Sequence, residues 1–522
     1  MSSPKVTYVS LMADESIHPR YEKGLEQIER ELGLRHPFYV GGEEVWSTRQ
    51  FSKTSPLDTS IKIGDFQVGA KEHVLRAIAM AKEAFRDWAG RAWSDRVAII
   101  RRAAELLESD MYRLAALITY EVGKNRYEAL AEVGEAIDML RYYAEVYEEN
   151  QGYVRAMRPG APGEQTRSVL RPYGVWAVIS PFNFPIALAA GMISGALLTG
   201  NTVVFKPTSE APLSGLKLYE AFRRAGVPEG ALHVLTGPGD FFGEVVVRHP
   251  DVMGIAFTGS RAVGMSLYRS FTASQPFPKP FIAEMGSKNP VIVTSKADLD
   301  KAVEGTVRAA FGYGGQKCSA ASRLYVEASI YTEFLERLVR RTRELRVGDP
   351  RRRETFLGPV INRAAVQRYQ EAVGQAVSDG GRVEVGGKVL SAGEFARGYY
   401  VEPTIITGLA PEHRLFKEEL FVPLLVATRF STLEEALRMA NDTDYGLTAG
   451  IFSEDEREVN FFFERIEFGV VYANRRGGAT TGAWPGAQSF GGWKASGSTG
   501  RGVGGPYYLL TFLREQAQTT VR

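Results

Sequence analysis

From residue 174 to residue 205 the chain carries no charged side chain. A run of that length could cross a bilayer as a helix, so what interrupts it decides the fold. Pro181, Asn183 and Pro185 break it early, and Gly200-Asn201 breaks it late. Such breakers free backbone groups that lipid cannot satisfy. The run therefore reads as strand 175–180, loop 181–184, buried helix 186–198, a turn, and strand 202–205. That is a βαβ unit, whose strands are apolar on both faces because helices cover a parallel sheet.

The alternation continues. Strand-like segments at 203–205, 232–235, 254–257, 281–284 and 291–293 interleave with helical ones at 213–225 and 243–249. This predicts an α/β fold with a doubly wound parallel sheet. A second series runs from 301 to 471, with helices at 329–344 and 433–440. Ahead of both lie an amphipathic helix at 17–34, a hairpin at 38–43, and helices at 71–89, 94–120 and 125–150. Segments 153–157 and 167–171 flank a Pro-Gly-Ala-Pro-Gly turn, and the tail 507–520 reads as strand. A lone two-stranded ribbon is marginal, so this one is expected to dock on something, including a second subunit.

A chain of 522 residues exceeds what one core usually fills. Its 63 basic and 61 acidic side chains nearly cancel, with no basic arm or acidic tail, which points to neither nucleic acid nor a membrane surface as partner. The first residues lack an apolar signal core, and a single cysteine fits a reducing compartment, so the expected address is the cytoplasm. The six histidines, at 18, 36, 73, 233, 249 and 413, show no ligand spacing, and no metal site is expected.

That cysteine, Cys318, sits in Gly312-Tyr-Gly-Gly-Gln-Lys-Cys318-Ser-Ala-Ala-Ser-Arg323, between a helix-like run ending at Phe311 and a strand-like run at 323–326. A thiol on a glycine-flanked turn has accessible backbone around it, as an attacked carbonyl needs, and Lys317 beside it would favour the thiolate. The alternatives are inert packing or adventitious oxidation, since free cysteine is a common buried residue. Four further positions carry possible chemistry. Phe257-Thr-Gly259-Ser-Arg-Ala-Val-Gly264 follows a strand and opens a helix, where amides can meet a pyrophosphate or where glycine simply lets helix and strand pack. Lys206 lies at the carboxyl end of a strand, where open α/β sheets bind ligands or where a lysine is simply solvated. Asn183 is an amide inside an apolar run, either stapling its loop or donating to an oxyanion. Glu284 ends an apolar strand before a glycine turn, where a half-buried carboxylate can act as a base or pair with a neighbouring cation.

Taken together, Pro-Phe-Asn183-Phe, Lys206-Pro, Phe-Thr-Gly259-Ser, Glu284-Met-Gly, Gly-Gln-Lys-Cys318, Glu419-Leu-Phe421 and Ser489-Phe-Gly-Gly-Trp-Lys494-Ala-Ser-Gly497 resemble the aldehyde dehydrogenase superfamily in order and spacing, across residues 37–520. The resemblance implies a Rossmann-like cofactor domain, an α/β catalytic domain and an oligomerisation ribbon, hence a homodimer or higher homo-oligomer. It divides the chain into a helical arm 1–36, a cofactor domain 37–150 plus 173–288, a catalytic domain 289–473, and a ribbon and tail at 151–172 and 500–522, with 474–499 returning to the cofactor domain. It makes Cys318 the nucleophile on a small-molecule aldehyde, Asn183 and the Cys318 N–H the oxyanion donors, and Glu284 the base that activates water. NAD or NADP would lie along Ser180, Pro181, Phe182, Lys206, Ser209, Gly239, Gly243, Phe257, Gly259, Ser260 and Val263. Glu419 would meet the nicotinamide ribose and Phe421 the nicotinamide.

Within the superfamily the closer likeness is to the 1-pyrroline-5-carboxylate (glutamate-semialdehyde) dehydrogenase branch. It rests on Cys318-Ser-Ala-Ala-Ser-Arg, Glu121-Val-Gly-Lys-Asn125, Gly134-Glu-Ala-Ile-Asp138, and Thr481-Gly-Ala483 followed by Gln488. The branch implies that Ser319, Gly482 and Ala483 grip a substrate α-carboxylate while Phe184 and Phe490 box its aliphatic chain. Three departures stand out. The loop 474–490 is longer through Gly477-Gly478-Ala, Val422 replaces an expected glycine, and Ser209 replaces an acid common in NAD-preferring relatives. Without that charge a 2′-phosphate meets no repulsion. The leading expectation is oxidation of L-glutamate γ-semialdehyde to L-glutamate in proline degradation. A broad-specificity aldehyde dehydrogenase and a silent protein retaining the fold are the alternatives.

Overall fold

The computed structural model describes residues 11, 14–478 and 484–522. The uncharged run folds as strand Val175–Ile179, loop, helix Ala187–Leu198 and strand Thr202–Lys206, the two strands pairing in parallel. Leu188 alone on that helix is not fully buried, as expected of a helix apolar all round.

Around this unit a seven-stranded sheet is ordered Phe281–Glu284, Val252–Thr258, Val175–Ile179, Thr202–Lys206, Leu232–Val234, Phe38–Val40, Glu43–Val45. The first five are parallel. Strand order reverses beside Val175–Ile179, so the loops after it and after Val252–Thr258 flank a switch point, where such sheets bind ligands. The outer two strands form a hairpin whose turn, Gly41-Gly42, has φ of 64° and 78°. Positive φ at both positions is the turn that matches strand twist, and glycine adopts it without steric cost.

The second sheet, also of seven strands, runs Arg382–Val385, Thr404–Thr407, Leu424–Phe430, Ala321–Glu327, Asn289–Val293, Thr448–Phe452, Val470–Ala473. All its pairings are parallel except the first. Residues 291–293, read as the end of the first alternation, belong here; Pro290 and the strand's apolar character do not reveal which sheet receives it. A third sheet joins Val154–Met157, Glu164–Pro172 and Leu513–Val521. The expected ribbon is thus three-stranded, with the carboxyl-terminal tail along one edge.

Other elements differ in extent. The helix expected at 17–34 is Ile17–Glu29, after which Leu34–His36 pairs with Lys62–Gln67. The segment 94–120 is two helices, Trp93–Ser109 and Met111–Val122, parted at Asp110. Aspartate competes with helix backbone bonding, and here its carboxylate accepts from Arg113 at 2.5 Å. Helix 243–249 starts earlier, as Asp240–Val246. Among the described residues no helix is long and apolar enough to cross a membrane.

Asn201 fastens the βαβ unit. Its Oδ1 accepts from Tyr173 N–H (2.8 Å) and Gly174 N–H (2.9 Å), and its Nδ2 donates to Thr199 Oγ1 (2.9 Å) and the Phe512 carbonyl (3.0 Å), with Asn201, Thr199 and Phe512 fully buried and Tyr173 partly so. Asn201→Ala strands these groups without water and should cost about 2–4 kcal/mol, since each buried orphan costs about 1–3 kcal/mol. Urea denaturation measures it. A loss under about 1 kcal/mol would show that the site is rehydrated instead.

Candidate active site

Helix Leu299–Phe311, capped by Asp298, delivers the chain to a tight turn in which Tyr313, Gly314 and Gly315 have φ of 51°, 63° and 67°. Left-handed backbone in succession is costly except for glycine, so this turn is specified by its sequence. Gln316 behind it is fully buried, with Oε1 accepting from Ile361 N–H at 2.8 Å. Cys318 follows, partly exposed, before strand Ala321–Glu327. Its flanking carbonyls are all bonded: Asn289 Nδ2 donates to the carbonyls of Cys318 (2.7 Å) and Ala320 (2.8 Å), and Thr448 Oγ1 to that of Ser319 (3.0 Å). Sequence reasoning missed Asn289, although it lies only five positions beyond Glu284.

Desolvation pushes the Cys318 thiol up, and the carboxylates of Glu419, Glu284 and Glu135 push it further. Lys317 does not counter them. Its Nζ is buried against Glu128 at 2.7 Å, so it anchors the turn to helix Arg126–Glu149 and does not favour the thiolate as expected.

Glu284 closes strand Phe281–Glu284 and is buried, more deeply than the half-burial expected. Its Oε2 accepts from Gly492 N–H at 3.0 Å, and no cation pairs with it among the described residues. Burial therefore raises its pKa to about 8. The segment from Gly491 to Ser498 fixes this strand end. Met285 N–H donates to the Ser496 carbonyl (2.8 Å), and Ser498 Oγ accepts from Ala283 N–H (2.8 Å).

Ser180, Pro181, Phe182, Asn183 and Phe184 form the loop after strand Val175–Ile179. Asn183 is buried, and its amide bonds none of the described residues, so a donor is left unspent there. The Phe182 ring meets Phe421 edge-on at 5.8 Å. Phe184 lies under the Lys124 amine, 3.4 Å from the ring centroid, and Lys124 also stands 4.9 Å from the Tyr313 ring in the cysteine turn. The asparagine loop, the cysteine turn and the 419–421 loop are thereby brought together. A small cavity lined by Ser287, Lys317, Ala320, Glu419 and Phe421 joins the last two.

At the neighbouring strand end Lys206 is 4% exposed, with Nζ donating only to the Pro207 carbonyl (2.9 Å), and burial lowers its pKa to about 8. Asp240, which follows Gly239 at the start of helix Asp240–Val246, is the charge that opposes this lowering. The buried Ser180 Oγ has no partner among the described residues. A Cβ on Gly239 would meet nothing, whereas one on Gly259 would strike the Phe257 ring. Gly243 faces Leu267 of helix Arg261–Ser274, which Ser260 caps by accepting from Val263 N–H at 3.4 Å. Val263 is exposed on that helix. An orphaned hydroxyl, a barely satisfied amine and open backbone at Gly239 suit a polyphosphate-bearing dinucleotide. Ser209 is half-exposed in the loop after Lys206, and no bond ties it to these groups.

Glu419 Oε1 accepts from Ser287 N–H at 2.9 Å, and desolvation raises its pKa to about 7. A Cβ on Gly286 would overlap its carboxylate. Phe421 takes φ of 57°, and Val422 is buried with no positive φ. Position 422 therefore needs no glycine, which explains how valine stands there. Ser319 is buried, Phe184 and Phe490 are each 4% exposed in the main core, and Phe490 N–H donates to the Val503 carbonyl (2.9 Å). Gly482 and Ala483 lie outside the described residues. The chain on either side of them is tethered, with Arg475 3.8 Å from the Trp484 ring and Nη1 donating to Gln488 (3.2 Å). Lys288 is a further group that sequence reasoning passed over: fully buried, with Nζ unpartnered among the described residues and its pKa lowered to about 7 by burial. No cluster of three metal-binding side chains occurs among the described residues.

The structure thus offers a partly exposed cysteine, a buried acid and an amide that bonds none of the described residues. A model of the aldehyde dehydrogenase family matches residues 45–517. The chain is 36% identical over 509 residues to the 1-pyrroline-5-carboxylate dehydrogenase of Geobacillus sp. (strain WCH70), covering 97% of this chain and 96% of that one. It is 37% identical over 499 residues to the protein of that name from Geobacillus thermodenitrificans (strain NG80-2), covering 95% and 94%. A solved 1-pyrroline-5-carboxylate dehydrogenase from Thermus with bound NAD has TM-score 0.93 at 36% identity, covering 98% and 97%. The chain belongs to the aldehyde dehydrogenase family.

Glu284 gives a prediction of sign. Its folded pKa of about 8 exceeds the ordinary 4.5, so between those values the native state holds a proton that the unfolded chain releases. Wild-type stability should fall as pH rises from 4.5 through 8. Glu284→Gln should remove that share of the fall, so the variant gains relative to wild type with rising pH. Denaturation midpoints at pH 5 and pH 8.5 compare them, and a constant offset would count against the raised pKa.

Proposed function

We propose that this chain oxidises L-glutamate γ-semialdehyde, the open form of 1-pyrroline-5-carboxylate, to L-glutamate with NAD or NADP, as a step of proline degradation. The reading is carried by the end-to-end match to relatives bearing that dehydrogenase's name. The Cys318-Ser319 site supports it, since the cysteine's flanking carbonyls are tied back and its own N–H and the Asn183 amide remain for a substrate oxygen.

Cys318 gives up its proton to solvent, and the thiolate Sγ attacks the aldehyde carbon. The developing oxyanion takes hydrogen bonds from Asn183 Nδ2 and the Cys318 N–H, donors whose direction is fixed before reaction. Lys206, Ser180 and the Gly239 backbone would hold the dinucleotide, with Glu419 and Phe421 at its nicotinamide end. When bound, the dinucleotide would supply a hydride acceptor, so that the tetrahedral adduct on Cys318 would lose hydride and become a thioester. Glu284 then takes a proton from water attacking the thioester, and the acid departs. With a pKa of about 8 this base gains ionised fraction as pH rises to that value. The ribbon, with Val154 and Met157 exposed on its edge strand, supports assembly as a homodimer or larger homo-oligomer. The lone thiol fits the cytoplasm.

Single-turnover mixing separates the two chemical roles. Cys318→Ala should give no reduced cofactor, whereas Glu284→Gln should give a burst followed by a stalled steady state, because an amide cannot take the proton. A normal steady state in Glu284→Gln would assign the base elsewhere.

Substrate choice is tested by an aldehyde panel. A charge-assisted grip on an α-carboxylate contributes about 1.5–3 kcal/mol, so glutamate semialdehyde should exceed uncharged aldehydes of similar length at least about tenfold in kcat/KM. Hexanal or benzaldehyde turning over equally well would favour a broad-specificity enzyme.

A further inference from the structure

The segment Glu121-Val-Gly-Lys-Asn125 and the first turns of helix Arg126–Glu149 touch neither proposed catalytic group directly, yet they bond both catalytic loops. Asn125 starts the helix, its Oδ1 accepting from Glu128 N–H at 3.0 Å. One turn on, Glu128 holds Lys317 of the cysteine turn. A further turn on, Glu132 and Lys124 form an ion pair at 2.7 Å with both side chains at zero exposure. The second oxygen of Glu132 accepts from Ile186 N–H (2.9 Å) and Ala187 N–H (3.4 Å). Those amides begin helix Ala187–Leu198, which has no side-chain cap of its own. They follow Asn183 by three and four residues.

A buried ion pair is a poor way to stabilise a core, because desolvating two charges costs several kcal/mol each and an apolar pair of similar volume often does as well. What the charges supply here is direction. Glu132 uses one oxygen on Lys124 and the other on the backbone of the asparagine loop. Lys124 in turn sits between Phe184, next to Asn183, and Tyr313, in the cysteine turn. The loop's end, its ring and the opposite turn are all referred to one pair. We propose that Glu132, oriented by Lys124, is a positioning residue that caps the asparagine loop and so aims the Asn183 amide at the oxygen of a substrate on Cys318. This rests on the oxyanion role given above to Asn183.

The test compares Lys124→Met/Glu132→Gln with Lys124→Met/Glu132→Leu. Both replace the ion pair by a neutral pair of similar volume, so neither leaves a buried unpaired charge. They differ in whether position 132 can accept from the Ile186 and Ala187 amides. The burst rate of reduced cofactor in single turnover reads acylation, and thermal midpoint and cofactor affinity are measured alongside. The Gln variant should keep acylation within about fivefold of wild type, and the Leu variant should be slower than it by at least about tenfold, as a misplacement near 1 Å costs about a hundredfold. In an Asn183→Ala background, itself expected to lose about a hundredfold, the Gln–Leu difference should shrink to less than about threefold. Equal burst rates in the two variants would overturn the proposal. So would a Gln–Leu difference that persists undiminished without Asn183, which would mark a structural role only. If Asn183→Ala alone leaves the burst intact, the oxyanion assignment falls, and this inference with it.

Discussion

A carboxylate taken out of water has to find donors, and in this chain several find them on the backbone of another segment. Glu121 accepts from Leu213 N–H (2.7 Å) and Ser214 N–H (2.9 Å), at the start of helix Pro212–Ala225. Glu132 does the same for helix Ala187–Leu198, Glu284 for Gly492, and Glu419 for Ser287. Each bond joins segments far apart in sequence, and two of them satisfy amides that a helix start leaves without partners. Burial raises all four pKa values, to about 7 for Glu121 and Glu419 and about 8 for Glu284. The acids that order these segments are thus held by burial closer to neutrality than ordinary carboxylates.

How much of this could be read in advance follows from range. The βαβ unit was legible because its breakers lie inside the run they divide, and the cysteine turn because its glycines are adjacent to the thiol. Local signals of this kind identify an element and its neighbours. They do not identify partners far away. Nothing around Lys317 says that it will spend its charge on Glu128, and the strand–helix alternation alone does not say which sheet residues 291–293 join, although the family resemblance set the domain boundary ahead of them. Asn289 was missed for the same reason: its bonds reach Cys318, Ala320 and Thr448, all distant in sequence. The split of 94–120 at Asp110 is the opposite case, a local signal present in the residue type but overridden in reading by a strong amphipathic pattern.

The valine at 422 shows how a departure from a motif can be harmless at the level of backbone. A glycine is required only where φ is positive or a neighbour comes too close. Here the left-handed residue is Phe421, one position earlier, and Val422 packs into the core while its carbonyl lies against Gly315 of the cysteine turn. The close approach is accommodated from the other side, by the absence of a side chain on Gly315. The strain placed on Phe421 is of the kind that persists where surroundings over-determine a conformation, and the Phe182 ring against it is part of those surroundings.

The same geometry sets the resting chemistry of the thiol. Desolvation and the carboxylates of Glu419, Glu284 and Glu135 all act to keep Cys318 protonated, and the one adjacent cation is already paired. The thiolate is both the nucleophilic and the oxidisable form of a cysteine, and these groups disfavour it at Cys318. Reactivity then depends on whatever relieves that field. Glu419 and Glu284 can each do so by taking up a proton, since burial raises their pKa values to about 7 and 8. Thiol and acid therefore share one electrostatic environment: a proton on Glu284 lowers the cost of ionising Cys318, and its departure leaves the carboxylate that the proposed hydrolysis would use. Such coupled groups titrate as a set, so the pH response of the site belongs to the constellation and to no single residue in it.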